Sequence, residues 1–165
     1  MLKVGDQAPP FSGRDQRGTE IRSEDLLAQG PVVLYFYPRD FTPGCTREAC
    51  HFRDAFEDLQ GLGASIVGVS VDDEASHARF AAVHQIPFSL LSDRDRSLAK
   101  AYDIVRAFGL GTARVTFVIG RDGKIAGAFH HELSMSKHVS ETKALLARLA
   151  ANASGVSASR AADRA

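Results

Sequence analysis

The chain has 165 residues, with 20 basic side chains balancing 20 acidic ones, so no net field draws it to nucleic acid or to an anionic membrane. Its 44% hydrophobic and 24% charged residues are the composition of a globular domain, and a domain of this size buries roughly 70% of the surface its unfolded chain exposes. No run approaches the roughly 20 apolar residues of a membrane helix, and Met1-Leu2-Lys3-Val4-Gly5-Asp6 lacks the apolar centre of a signal peptide, so a cytoplasmic protein is the expectation.

In chain order, Phe11 to Ile21 surrounds Asp15-Gln16-Arg17-Gly18 and reads as a small hairpin. Pro31-Val32-Val33-Leu34-Tyr35-Phe36-Tyr37 is a continuous apolar run rich in β-branched and aromatic residues, which suits a strand buried on both faces. After the Pro43-Gly44 turn, Ala49, Phe52, Phe56 and Leu59 recur at helical spacing until Gly61 and Gly63 end the pattern. Ser65 to Ser70 reads as a second buried strand, Glu74 to His84 as a helix that Pro87 closes off, Phe88 to Leu91 as a short strand, and Asp95 to Tyr102 as a short helix.

Val115 to Ile119 and Ile125 to Phe129 flank Arg121-Asp122-Gly123-Lys124, where the Asp-Gly step marks a hairpin. Lys137 to Ala151 forms a final amphipathic helix on Val139, Leu145, Leu146 and Leu149. Residues 1–151 therefore read as one domain, and the Ala/Ser/Arg-rich residues 152–165 as a flexible tail. Strand–helix alternation followed by a hairpin and a helix implies an α/β protein with a mixed central sheet flanked by helices. The order βαβ…ββα is that of the thioredoxin-like fold, here with an extra N-terminal β-hairpin.

Cys45 and Cys50, the chain's two cysteines, would staple too little chain to serve as a disulfide framework. The nucleophilic form of a cysteine is the thiolate, which requires the usual pKa of roughly 8.5 to be lowered. Pro43-Gly44 before Cys45 places the thiol in the first turn of a helix, where unpaired N–H groups and the positive end of the dipole favour an anion. Gly44 leaves room for a small ligand to approach the backbone. At 100° per residue Cys45 lies in the middle of the apolar stripe, while Cys50 falls roughly 140° away around the axis and nearer the surface.

Five residues along an ideal helix separate the Cα atoms by about 8.6 Å, whereas a disulfide needs them within roughly 7 Å. If both thiols take part in one cycle, the first helical turns must unwind. Two other readings of Cys45 stand beside this one: a small apolar core residue, or part of a metal site. For structural zinc, Cys45, Cys50 and His51 offer too few ligands at unusual spacing, and His130, His131 and His138 read as a solvated surface cluster.

At these residues the sequence resembles the peroxiredoxins, in particular the PrxQ or bacterioferritin comigratory protein subfamily. The resemblance is carried by Phe36-Tyr37-Pro38-Arg39-Asp40-Phe41-Thr42-Pro43-Gly44-Cys45-Thr46-Arg47-Glu48-Ala49-Cys50, and by Gly5-Asp6-Gln7-Ala8-Pro9, Pro87-Phe88-Ser89-Leu90-Leu91-Ser92-Asp93 and Ala113-Arg114-Val115-Thr116-Phe117-Val118-Ile119. It implies that Cys45 is the peroxidatic cysteine and Cys50 the resolving one. It further implies that the Thr42 hydroxyl holds peroxide and thiolate, that Pro38 shields the site, and that Arg114 completes it from a later strand. A threonine hydroxyl both donates and accepts, and arginine stays charged, so both roles suit a polarised peroxide. Glu48 is assigned either to orienting arginine side chains or to capping the helix. Gly120 stands where the family usually has an acidic residue and Val115 where it has a small hydroxyl residue; neither position carries a catalytic role.

The resemblance implies a thiol-dependent peroxidase that reduces hydrogen peroxide and organic hydroperoxides to water and alcohols, without metal, haem or flavin. Cys45 would become a sulfenic acid, Cys50 would condense with it to an intramolecular disulfide, and thioredoxin or a glutaredoxin-like protein would return the dithiol. The subfamily suggests a monomer, with a weak dimer as the alternative. A thioredoxin-like thiol–disulfide oxidoreductase is the rival enzyme, although the Cys-x-x-Cys spacing is absent. A peroxide sensor that engages a partner in its oxidised, locally unfolded state is the non-enzymatic alternative.

Overall fold

The computed structural model describes residues 1–162. The chain opens with the expected hairpin, β1 (Ser12–Arg14) and β2 (Glu20–Arg22), paired antiparallel with Gly13 opposite Ile21. A short helix not expected from the sequence, α1 (Ser23–Gln29), follows at once and packs Leu26 and Leu27 on the sheet.

Among the described residues, five further strands form the central sheet: β3 (Val32–Phe36), β4 (Ser65–Ser70), β5 (Ser89–Ser92), β6 (Val115–Ile119) and β7 (Ile125–His130). Their spatial order is β5-β4-β3-β6-β7, with β5, β4 and β3 mutually parallel and β6 and β7 antiparallel. The sheet is thus mixed, with β3 at its centre, as its unbroken apolar run demands.

The helical pattern after Pro43 is realised as two helices, α2 (Pro43–Asp54) and α3 (Phe56–Gly61), which meet at Ala55 (φ −92, ψ 0). The apolar stripe runs across that break, so the periodicity alone does not reveal it. α4 (Glu74–His84) has the expected bounds: the Asp73 side chain accepts from the Ser76 N–H at its start, and Gln85 ends it in the left-handed region at φ 54. α5 (Ser97–Ala101) is short.

α6 (Met135–Ala162) differs from expectation in length. The segment from residue 152, expected as a flexible tail, continues the helix as far as Ala162, in keeping with the high helix propensity of its alanines; residues 163–165 lie outside the described residues.

Alternate residues of the strands fill two cores. On one face Val33, Tyr35 and Tyr37 pack with Ala49, Phe52, Leu59, Phe80 and Leu146 of the helices. On the other, Val32, Leu34 and Phe36 pack with Val67, Tyr102, Val115 and Phe117. The period of two in a strand is what divides them.

Candidate active site

β3 ends at Phe36, and residues 37–42 lead from the sheet to the start of α2. This link is firmly anchored. The Tyr37 hydroxyl donates to Asp40 Oδ1 at 2.6 Å, the Ser76 hydroxyl to Oδ2 at 2.8 Å, and His77 Nδ1 lies 2.8 Å from the same Oδ2. His77 Nε2 faces the Leu91 carbonyl at 3.2 Å. The buried ring is thus held between the Asp40 carboxylate on one nitrogen and a backbone carbonyl on the other. Burial works to raise the Asp40 pKa, but the hydrogen bonds from His77 and Tyr37 outweigh it and hold the carboxyl below its usual value. Phe41, next in the link, sits at φ 61, a costly conformation for a bulky residue, with its ring edge-on to Phe80 at 5.3 Å.

Thr42 is the extended residue before α2, and Pro43 opens the helix, where its missing N–H would have had no partner. Cys45 therefore lies in the first turn, 1% exposed, in the same core cluster as Tyr35, Ala49 and Phe52. Cys50 is half-buried and further along the same unbroken helix, and both thiols are free. The helical geometry that separates them is therefore realised.

Arg114 comes from the residue before β6. Antiparallel pairing of Phe36 with Val115 sets the start of β6 beside the end of β3, and so delivers Arg114 to a cysteine 69 positions earlier. Its Nη2 donates to Cys45 Sγ at 3.2 Å, and its Nη1 pairs with Glu48 Oε2. Burial opposes the Arg114 charge, but Glu48 and Cys45 outweigh it and raise its pKa. Glu48, one turn beyond Cys45, is fully buried; burial pushes its carboxyl up from 4.5 to about 7 against the lowering effect of Arg114. Of the two roles open to Glu48 in the sequence, the geometry takes the first: it orients Arg114.

Gly44 also packs on this arginine. A Cβ at position 44 would lie 3.2 Å from Arg114 Nη2, so the space that glycine leaves is space for the guanidinium. Pro38 is half-buried at the start of the link. The Thr42 hydroxyl donates to the Arg39 carbonyl at 2.9 Å, and with its one hydrogen so engaged it must turn before it can donate to a peroxide.

His138 corrects the expectation of a solvated histidine cluster. It is fully buried, with Nδ1 2.8 Å from Thr116 Oγ1 and Nε2 2.8 Å from the His131 carbonyl. Burial lowers its pKa from 6.5 to about 4. His130 is exposed and His131 half-buried, each beside a glutamate. Among the described residues no group of three or more His, Cys, Asp or Glu is placed to hold a metal ion, and no helix is long and apolar enough to cross a membrane. A cavity of about 410 Å3 opens between the N-terminal hairpin and β5, but Cys45 and Arg114 do not line it.

Residues 4–128 match the model of the AhpC/TSA family. The chain belongs to the AhpC/TSA family. Among its relatives, Peroxiredoxin Q, chloroplastic, from Sedum lineare is 38% identical over 146 residues, covering 88% of this chain and 78% of that one. The crystal structure of peroxidoxin BcpB from Mycobacterium tuberculosis superposes with a TM-score of 0.84 at 40% identity, covering 90% of this chain and 98% of that one. A Xanthomonas campestris bacterioferritin comigratory protein, described for its alkyl peroxide reduction activity through trapped intermediate and ligand complexes, superposes with a TM-score of 0.78 at 32% identity, covering 85% and 92%. The chain is thus a peroxiredoxin of the Q type, and its mixed sheet with a separate N-terminal hairpin is the thioredoxin-like peroxiredoxin fold. The sequence of this peroxiredoxin gives Asp40 and His77 no role of their own and makes His138 look solvated. Only their tertiary partners distinguish them, and no local spacing signals those partners.

Proposed function

We propose that this peroxiredoxin reduces hydrogen peroxide and organic hydroperoxides through Cys45, with Arg114 holding the sulfur anion and the polarised peroxide. The observation that carries this reading is the contact of Arg114 Nη2 with Cys45 Sγ at 3.2 Å, in the first turn of a helix and inside the core. A permanently charged donor on a buried sulfur, with helix N–H groups beside it, is an arrangement for an anion that attacks a neutral, polarisable O–O bond. The trapped complexes of the Xanthomonas campestris relative support the extension to alkyl peroxides.

In the cycle, the Cys45 thiolate attacks the terminal peroxide oxygen, the O–O bond breaks, and water or an alcohol leaves behind a sulfenic acid. The start of α2 then unwinds, Cys50 displaces water from the sulfenic acid, and a disulfide closes within the chain. A dithiol of the thioredoxin or glutaredoxin type reopens it by exchange, as the reducing environment of a cytoplasm would provide. Cys45, Glu48 and Arg114 all come from one chain, which supports action as a monomer.

Mass spectrometry after one equivalent of peroxide tests the cycle. A Cys45–Cys50 bridge is expected, and its absence overturns the two-cysteine form. Cys45→Ser abolishes peroxide consumption. Cys50→Ser retains one rapid oxidation and then stalls unless an external thiol is added; undiminished thioredoxin-coupled turnover in that variant would move the resolving role elsewhere.

A further inference from the structure

Glu48 has a second side that pairing with Arg114 does not explain. Its Oε2 meets Arg114, but Oε1 is buried and, among the described residues, without a hydrogen-bond partner. His138 Nδ1 lies 3.7 Å from that oxygen. No positive charge comes from there. Burial lowers the His138 pKa to about 4 and so keeps the ring neutral; with Nε2 against the His131 carbonyl, its one hydrogen belongs there and Nδ1 is left to accept from the Thr116 hydroxyl.

One guanidinium therefore serves two acids, Glu48 on Nη1 and Cys45 on Nη2. The other groups around Glu48 offer no second cation. Burial keeps the Tyr35 phenol neutral, Glu132 on the loop before α6 adds a negative charge and is itself paired with Arg106, and His131 and Glu141 lie on the far side of His138. Two anions and one cation inside a dry site leave an uncompensated charge, and the usual escape is for one acid to keep its proton. The unpartnered Oε1 is where that proton has room.

We propose that Cys45 and Glu48 share a single negative charge through Arg114: Glu48 is a protonated acid while Cys45 is a thiolate, and becomes a carboxylate when Cys45 is oxidised. This rests on the peroxidase reading and adds its proton balance. Cys45–S⁻, ROOH and Glu48–COOH become Cys45–SOH, ROH and Glu48–COO⁻. An S–O bond forms and the O–O bond breaks, sulfur gives two electrons to the peroxide, and the proton lost by Glu48 balances the one taken up by the leaving alkoxide. Charge is conserved inside the site, and Arg114 faces one anion before the reaction, the Cys45 thiolate, and one after it, the Glu48 carboxylate. Glu48 acts through Arg114 and is a positioning residue. That burial pushes its carboxyl up to about 7 agrees with the geometry.

The test is infrared difference spectroscopy on the full chain carrying Cys50→Ser, in which Cys45 oxidation is not followed by the disulfide that draws α2 open, reduced against treated with one equivalent of hydrogen peroxide, with thiol titration on the same sample. Below the value of about 7 given for Glu48, oxidation should remove a protonated-carboxyl band, and Glu48→Gln should lack that band. In Cys45→Ser, with no thiolate to compete, the same carboxyl should titrate lower than in wild type, by about one pH unit or more. Cys45 oxidised with an unchanged carboxyl band, or a Cys45→Ser midpoint equal to that of wild type, overturns the shared charge and leaves the peroxidase standing. Failure of Cys45 to react with peroxide removes both. The Cys50→Ser, wild-type and Cys45→Ser measurements decide the matter even where Glu48→Gln fails to fold.

Discussion

The two faces of the central sheet are made by alternate residues of the same strands, yet they have opposite characters. On the face that carries Val32, Leu34, Phe36, Val115 and Phe117, the packing against Val67 and Tyr102 is apolar. On the other, Tyr35 of β3, Tyr37 just beyond its end, and Arg114 and Thr116 at β6 meet Cys45, Glu48, His77 and His138 from α2, α4 and α6. One face holds the domain together by area removed from water. The other also buries ionisable groups near the end of β3, among them the pairs Arg114–Glu48 and His77–Asp40. The strand period thus separates stability from reactivity without separating them in sequence.

The largest expected effect breaks the second face alone. Arg114→Met removes the donor on sulfur, and the first oxidation by peroxide, followed by stopped flow, should slow by about 10²–10³-fold, the size seen for loss of one charge-stabilising donor. The apolar face should respond in the opposite way. Phe117→Ala should cost about 3–5 kcal/mol in urea unfolding, with the oxidation rate per folded molecule unchanged. A slow but fully folded Phe117→Ala would show that the faces are not independent.

The pH dependence of stability sharpens the comparison further. The folded state keeps the Glu48 proton between 4.5 and about 7 while the unfolded chain has lost it, so this group makes stability fall as pH rises through that window. His138 has its pKa lowered from 6.5 to about 4, so between those values the unfolded chain binds the extra proton and stability rises with pH. In wild type the two oppose each other. Glu48→Gln should leave the rise, up to about 1.4 kcal/mol per pH unit, and His138→Gln the fall. Urea midpoints across the overlap measure both, and parallel profiles in the two variants would contradict the pairing. The smallest effect is expected from Gly44→Ala. Its Cβ must displace Arg114 by a few tenths of an ångström, and oxidation should slow several-fold.

Much of the core was legible in the sequence, because continuous apolar runs identify β3 and β4, and the helical stripe places Cys45 inside. The end of α4 follows from Pro87, a local signal. Of the buried ionisable groups, Cys45 was legible from its place at the helix start and Arg114 only through the family resemblance, while Asp40 and His77 were not. Arg114 looks like a surface residue until β6 pairs with β3, and His138 looks solvated until α6 lays it on Thr116. Glu48 has the spacing of an exposed helical residue on either reading. Short α1 escaped because its two leucines make no recognisable period, and the length of α6 did so because lack of an apolar anchor says nothing against a helix of alanines.

The break at Ala55 bears on how the cycle can repeat. α2 and α3 are separate hydrogen-bonded segments, and Leu59 of α3 is wholly buried in the core. Helix melting is cooperative within a segment and is interrupted where the backbone ladder is interrupted. The chain released to join Cys45 to Cys50 can therefore end at Ala55, with the wall of the core beyond it left standing. Ahead of it the Asp40–His77 pair holds the other end. The moving part is bounded on both sides, so that each turnover disturbs a dozen residues and refolding has a ready template.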